Sequence, residues 1–115
     1  MDEKEANIHP TNLTYKWEKQ TLTIEDIKLK VTAYGEQKKV SLTQEEAMSI
    51  ARQLHRAYVK YHDPNAYAGD FIREFAGDSL RRIFSIADNL NERALIVYHY
   101  YFYNCVPGDW RKRLE

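Results

Sequence analysis

The tetrapeptide Thr43-Gln44-Glu45-Glu46 divides this chain in two. It is a capping box: the threonine hydroxyl can accept from the amide three residues on, whose carboxylate reaches back to the threonine amide. A helix should begin there, and the residues that follow agree. Ala47, Ile50, Ala51, Leu54, Tyr58 and Tyr61 recur at the i, i+3, i+4, i+7 spacing that gathers them on one face. The helix should end by His62, because Asp63-Pro64 offers an N-cap and a first-turn proline for the next one. That second helix carries Ala68, Phe71, Ile72 and Phe75 and stops at Gly77. A third restarts at Asp78-Ser79 and turns Leu80, Ile83, Phe84, Ala87 and Leu90 inward.

The fourth segment, Leu95 to Tyr103, is apolar or aromatic almost throughout. Its residue types suit a strand. Its length and its opening, Asn91-Glu92-Arg93-Ala94, suit a buried helix, and helix is the reading adopted, ended by Pro107-Gly108.

Before Leu42 the hydrophobic period is two. Leu13, Tyr15 and Trp17 alternate with Thr14, Lys16 and Glu18, and Ile27, Leu29, Val31 and Ala33 alternate with Lys28, Lys30 and Thr32. Gly35-Glu36-Gln37-Lys38 reads as a turn, and Val40 with Leu42 as a short third strand. The expected fold is therefore α+β: a small three-stranded antiparallel sheet followed by three or four packed helices. Lys16, Lys28 and Lys30 would line its wet face and discourage edge-to-edge pairing. With 115 residues, one domain over 11–113 is expected after a flexible tail at 1–10; the terminal Leu114-Glu115 fits a cloning scar and carries no functional weight.

Charge and cysteine content narrow the function classes. Lys+Arg and Asp+Glu both number 17, so no global field favours nucleic acid or an anionic membrane. The apolar run is too short to span a bilayer, and the acidic start, MDEKEANIHP, is no leader peptide. Cys105 stands alone, so an internal disulfide is excluded and a reducing, cytoplasmic location is expected.

Catalytic constellations are missing from the pattern. His55 and His62 lie seven apart, near Asp63, Asp70 and Glu74, without the i, i+4 histidine pairing of helix-borne metal sites. On a helix, His99 and Cys105 point roughly 120° apart, which does not make a nucleophile and its base. Four glycines form no nucleophile elbow, phosphate loop or dinucleotide fingerprint. The pairs Glu25-Asp26 and Glu45-Glu46 sit where helix capping or turn solvation explains them. No catalytic residue, cofactor or metal is expected, and hence no enzyme.

Two binding readings remain. Arg52, Arg56 and Lys60 form a basic stripe at i, i+4, i+8, supported in sequence by Arg73, Arg81, Arg82, Arg93 and Arg111-Lys112-Arg113. Such a stripe could contact phosphates, though a solvated helix face carries charge in any case. Leu90-Asn91-Glu92-Arg93 leading into Ala94 to Tyr101 is similar to the opening of the helical DNA-binding region of bacterial sigma factors. The helix-turn-helix that completes that region finds no room in Pro107 to Arg113, so the likeness implies no function here. The aromatic content, 13% with nine tyrosines, favours a protein interface instead. Tyr98 and Phe102 are expected in the core beside Leu95, and Tyr100, Tyr103 and Trp110 at an interface. The leading expectation is a non-enzymatic intracellular protein-interaction or regulatory domain whose partner is another protein, a second copy included. The alternative is an accessory nucleic-acid binder using Arg52, Arg56 and Lys60.

Overall fold

The computed structural model describes residues 13–77 and 89–114. Among them every regular element is a helix: α1 (Leu13–Glu18), α2 (Ile24–Gln37), α3 (Gln44–His62), α4 (Asp70–Ala76), α5 (Asn89–Arg93), α6 (Leu95–Asn104) and α7 (Trp110–Leu114). The α+β expectation is thus corrected to an all-helical architecture, with no strand among the described residues.

The first expected strand is α1. Its buried residues, Leu13 and Trp17, lie four apart, a spacing that satisfies both a period of two and one helical turn. The second expected strand is α2, and here burial separates the two periods. Ile27 and Val31 are buried, whereas Leu29 is 71% exposed. Thr23 caps α2 with a second capping box: its hydroxyl accepts from the Asp26 amide at 3.1 Å, and the Asp26 carboxylate accepts from the Thr23 amide at 3.0 Å. The expected third strand, Val40 with Leu42, is the irregular link between α2 and α3.

Both early helices also end without the usual glycine. At the end of α2 the Val40 amide bonds to the Gly35 carbonyl at 2.8 Å and the Lys39 amide to Glu36 at 3.3 Å. That pair of bonds is a Schellman motif, with Lys39 in the left-handed region at φ 58°. The end of α1 repeats it, with Thr21 to Lys16 at 3.0 Å, Gln20 to Trp17 at 3.4 Å, and Gln20 at φ 58°. The expected turn at Gly35 to Lys38 is therefore the last turn of α2 and its cap. Gly35 has another reason to be glycine. A Cβ there would lie 3.1 Å from the Val40 carbonyl and 3.2 Å from Leu42.

α3 follows its expectation closely. Thr43 caps it through the reciprocal bonds with Glu46, and Ala47, Ile50, Ala51, Leu54, Tyr58 and Tyr61 are all buried. It ends at His62, but Asp63-Pro64 does not open the next helix. Asp63 closes α3, its carboxylate accepts from the Asn65 amide at 3.0 Å, and α4 begins only after Gly69, whose φ is 101°. Gly77 ends α4 as expected. The expected third helix, Asp78 to Leu90, lies outside the described residues as far as position 88; its last inward residue, Leu90, is in α5 and packs half-buried against the core.

The core lies where α2 and α6 pack on one another and α2 packs along α3, while α7 closes on α3 and α4. Trp17 of α1 is its wedge, fully buried against the rings of Tyr58, Tyr61 and Tyr101 at centroid distances of 5.4, 5.7 and 6.4 Å. Leu114 is also buried, and α7 is tied down by a triangle: Tyr61 donates to Asp109 at 2.6 Å, and Arg113 pairs with Asp109 at 3.0 Å. Burial, then the Asp109 carboxylate, pushes the Tyr61 phenol up to about 12. No helix among the described residues is long and apolar enough to cross a membrane.

Candidate functional site

α6 presents two unlike faces. Its inner face sets Val97, Tyr98, Tyr101 and Phe102 into the core. Tyr98 fixes the register: its hydroxyl accepts from Gln53 of α3 at 2.8 Å and donates to Asn91 of α5 at 2.7 Å. Asn91 is thus a buried polar partner as well as part of the lead into α6. Phe102 stacks on Trp110 at 4.5 Å, and Phe75 lies 5.2 Å from Phe102. Tyr98 and Phe102 therefore occupy the core positions the sequence gives them.

The outer face is a row of rings. Ile96, 43% exposed, precedes His99, Tyr100 and Tyr103 at i+3, i+4 and i+7, the spacing of one helical side. Tyr103 is 79% exposed and stacks on His99 at 6.2 Å, while His99 meets Tyr100 edge-on at 5.8 Å. Tyr100 in turn lies 6.1 Å from Tyr34 of α2. Two ammonium groups cover these rings: Lys38 lies 4.0 Å above Tyr100 and Lys30 lies 5.7 Å above Tyr34. Underneath, the Tyr34 hydroxyl meets the Cys105 sulfur at 3.4 Å. Burial, then the contact with Cys105, raises the Tyr34 phenol far above its ordinary value, and burial likewise pushes the Cys105 thiol up.

Of the three residues expected at an interface, Tyr100 and Tyr103 stand together on this face. Trp110 does not join them. It packs on Phe102 and Phe75 on the inner side of α6, with the Arg111 guanidinium 4.6 Å above its ring. Sequence reasoning missed Tyr34, Lys30 and Lys38. Their signal is an i, i+4, i+8 spacing that matters only once α2 is a helix.

The basic stripe is more dispersed. Arg52 and Arg56 are exposed, but Lys60 is half-buried and donates to the Pro64 carbonyl at 2.6 Å. It lines a cleft of about 200 Å³ with Tyr67, Gly69 and Arg73. Other arginines brace the fold: Arg93 binds the Ser41 carbonyl at 2.7 Å and the Glu46 carboxylate, and Arg111 binds the Ala76 carbonyl at 3.1 Å. Arg81 and Arg82 lie outside the described residues.

The titratable residues weighed for chemistry are likewise scattered. His62 bonds to the Trp17 carbonyl at 2.6 Å, between the rings of Tyr58 and Tyr61. His55 rests on Tyr58, and burial holds its imidazole below its ordinary pKa. Cys105 is buried against Tyr34 while His99 is exposed. Among the described residues no three His, Cys, Asp or Glu side chains converge on a common point. Set against protein-family models, curated proteins and solved structures, the chain matches none of them.

Proposed function

We propose that this chain is a non-enzymatic protein-interaction domain of the cytoplasm that docks through the outer face of α6. The observation that carries the reading is Tyr103, 79% exposed on a helix whose other face fills the core. A large ring left in water beside Ile96, His99 and Tyr100 gains by being covered, and tyrosine loses little conformational freedom when it is. The lone cysteine, buried and with its thiol pushed up, supports a location without disulfide chemistry and argues against a nucleophilic role. The test is a photoreactive benzoylphenylalanine placed at position 103, or at position 52 as control, in cells producing the chain. Covalent protein adducts are expected from position 103 and not from 52. Adducts from neither position, or equally from both, contradict the reading.

The second reading, phosphate binding, draws on Arg52 and Arg56, which are exposed and have no hydrogen-bonded or ionic partner among the described residues. Replacing Arg52, Arg56 and Lys60 with Glu would abolish any such binding, whose affinity would fall steeply with salt. Fluorescence anisotropy with generic DNA and RNA is expected to show no appreciable binding near physiological salt. Salt-sensitive binding lost in the triple variant would reverse the order of the two readings.

A further inference from the structure

We infer that the partner covering this face presents an acidic amphipathic helix, with carboxylates along one row and apolar side chains along the next. The inference rests on the docking reading above and adds the partner's chemistry. Lys30, Tyr34 and Lys38 recur every fourth residue along α2 and its C-cap, so they form one row. Ile96, Tyr100 and Tyr103 form the neighbouring row on α6. The rows meet where Tyr34 lies 6.1 Å from Tyr100 and the Lys38 ammonium 4.0 Å above the Tyr100 ring.

Charge decides what fits. Among the described residues, neither Lys30 nor Lys38 takes part in an ion pair. The carboxylate that continues the α2 row, Asp26, is already bound by Lys16 at 2.9 Å. Glu36 lines a separate cleft with Thr32, Leu42 and Ala47. Among the described residues the face therefore sets two ammonium groups without an ion pair over the half-buried rings of Tyr34 and Tyr100, next to the exposed Tyr103 and Ile96. A row of carboxylates answers the lysines, and an adjacent apolar row covers Tyr103 and Ile96, the pattern of an amphipathic helix.

A second copy of the chain answers this face less well. An isologous contact lays the patch on itself, positive against positive. Single-stranded nucleic acid also stacks on aromatic rings, but it asks for a basic groove tracking several phosphates, and here only two ammonium groups stand in one row along α2 and its C-cap.

The probe is an end-blocked synthetic helix with glutamate at every fourth position beside a row of leucines, titrated into the full chain. Its counterparts carry lysine in place of glutamate, and an oligothymidylate serves as the nucleic-acid control. The glutamate peptide should bind at least roughly tenfold more tightly than the lysine peptide. Lys30→Gln combined with Lys38→Gln should erase that preference, and Tyr103→Ser should weaken the glutamate peptide roughly tenfold. None of the three side chains lies in the core, so circular dichroism of the variants should match the parent. Equal binding of the two peptides, tighter binding of oligothymidylate, or a parent that sediments as a dimer dispersed by Tyr103→Ser overturns the inference. Adducts at position 103 without a preference for glutamate would leave the docking reading standing and remove only the acidic partner.

Discussion

Within one ten-residue helix, α6 uses tyrosine in three different ways. On the inner face Tyr98 is buried with its hydroxyl bonded to Gln53 and Asn91, and Tyr101 is buried with no hydrogen-bond partner among the described residues. On the outer face Tyr103 stands mostly in water against His99. The contrast teaches that an aromatic run does not announce its own roles. They are set by what α3, α5 and α7 bring against the inner side and α2 against the outer.

The largest way to test that contrast is to empty the inner face. Phe102→Ala removes the ring that stacks on Trp110 and meets Phe75, and should cost about 3–5 kcal/mol in urea unfolding. Tyr98→Phe is gentler in volume but removes one hydrogen bond each from Asn91 and Gln53, which stay bonded to one another at 3.3 Å, and should cost about 1–3 kcal/mol. Tyr101→Phe should go the other way and raise stability by about 1 kcal/mol, because the hydroxyl it deletes is buried and unpartnered. A loss as large as that of Tyr98→Phe would mean that the two inner tyrosines are equivalent after all.

Acid probes the junction of α1 and α2. Burial alone would raise Asp26, but hydrogen bonds from Lys16 and Thr23, with the Lys16 charge, outweigh it and hold the carboxyl below its ordinary value of 3.8. A carboxyl depressed in the folded state contributes stability that is present above the unfolded pKa and lost as pH falls through the folded one. Unfolding followed from pH about 5 downward should therefore show a loss that is smaller in Asp26→Asn. The smallest effect is expected on the outer face. Tyr103→Ser should change stability by no more than about 0.5 kcal/mol, as surface substitutions generally do.

How much of this was legible in the sequence depends on how each helix is marked. α3 carries a Thr-Glu capping box and a clean period, and its limits and buried face follow from them. α2 hides both signals. Its capping box closes with Asp26, its stop is Lys39 where glycine is usual, and Leu29 and Ala33 put apolar groups on the solvent side in step with a period of two. The site is split the same way. That Tyr100 and Tyr103 turn away from the core was legible, because one helix in a small domain cannot bury every ring in such a run. Lys30 and Lys38 were not, because a strand would have turned Lys30 to a wet sheet face and a turn would have held Lys38, rather than setting them over Tyr34 and Tyr100. Trp110 misled for a further reason: only the packing of α7 on α4 places it among Phe75 and Phe102.

The measurement closest to the central claim is chemical-shift mapping of the full chain as the glutamate peptide is added. Shifts should concentrate at Lys30, Tyr34, Lys38, His99, Tyr100 and Tyr103, with Arg52, Arg56 and the inner residues Tyr98 and Phe102 unmoved. Perturbations centred on Arg52 and Arg56, or spread through the core with the outer face of α6 silent, would contradict the account.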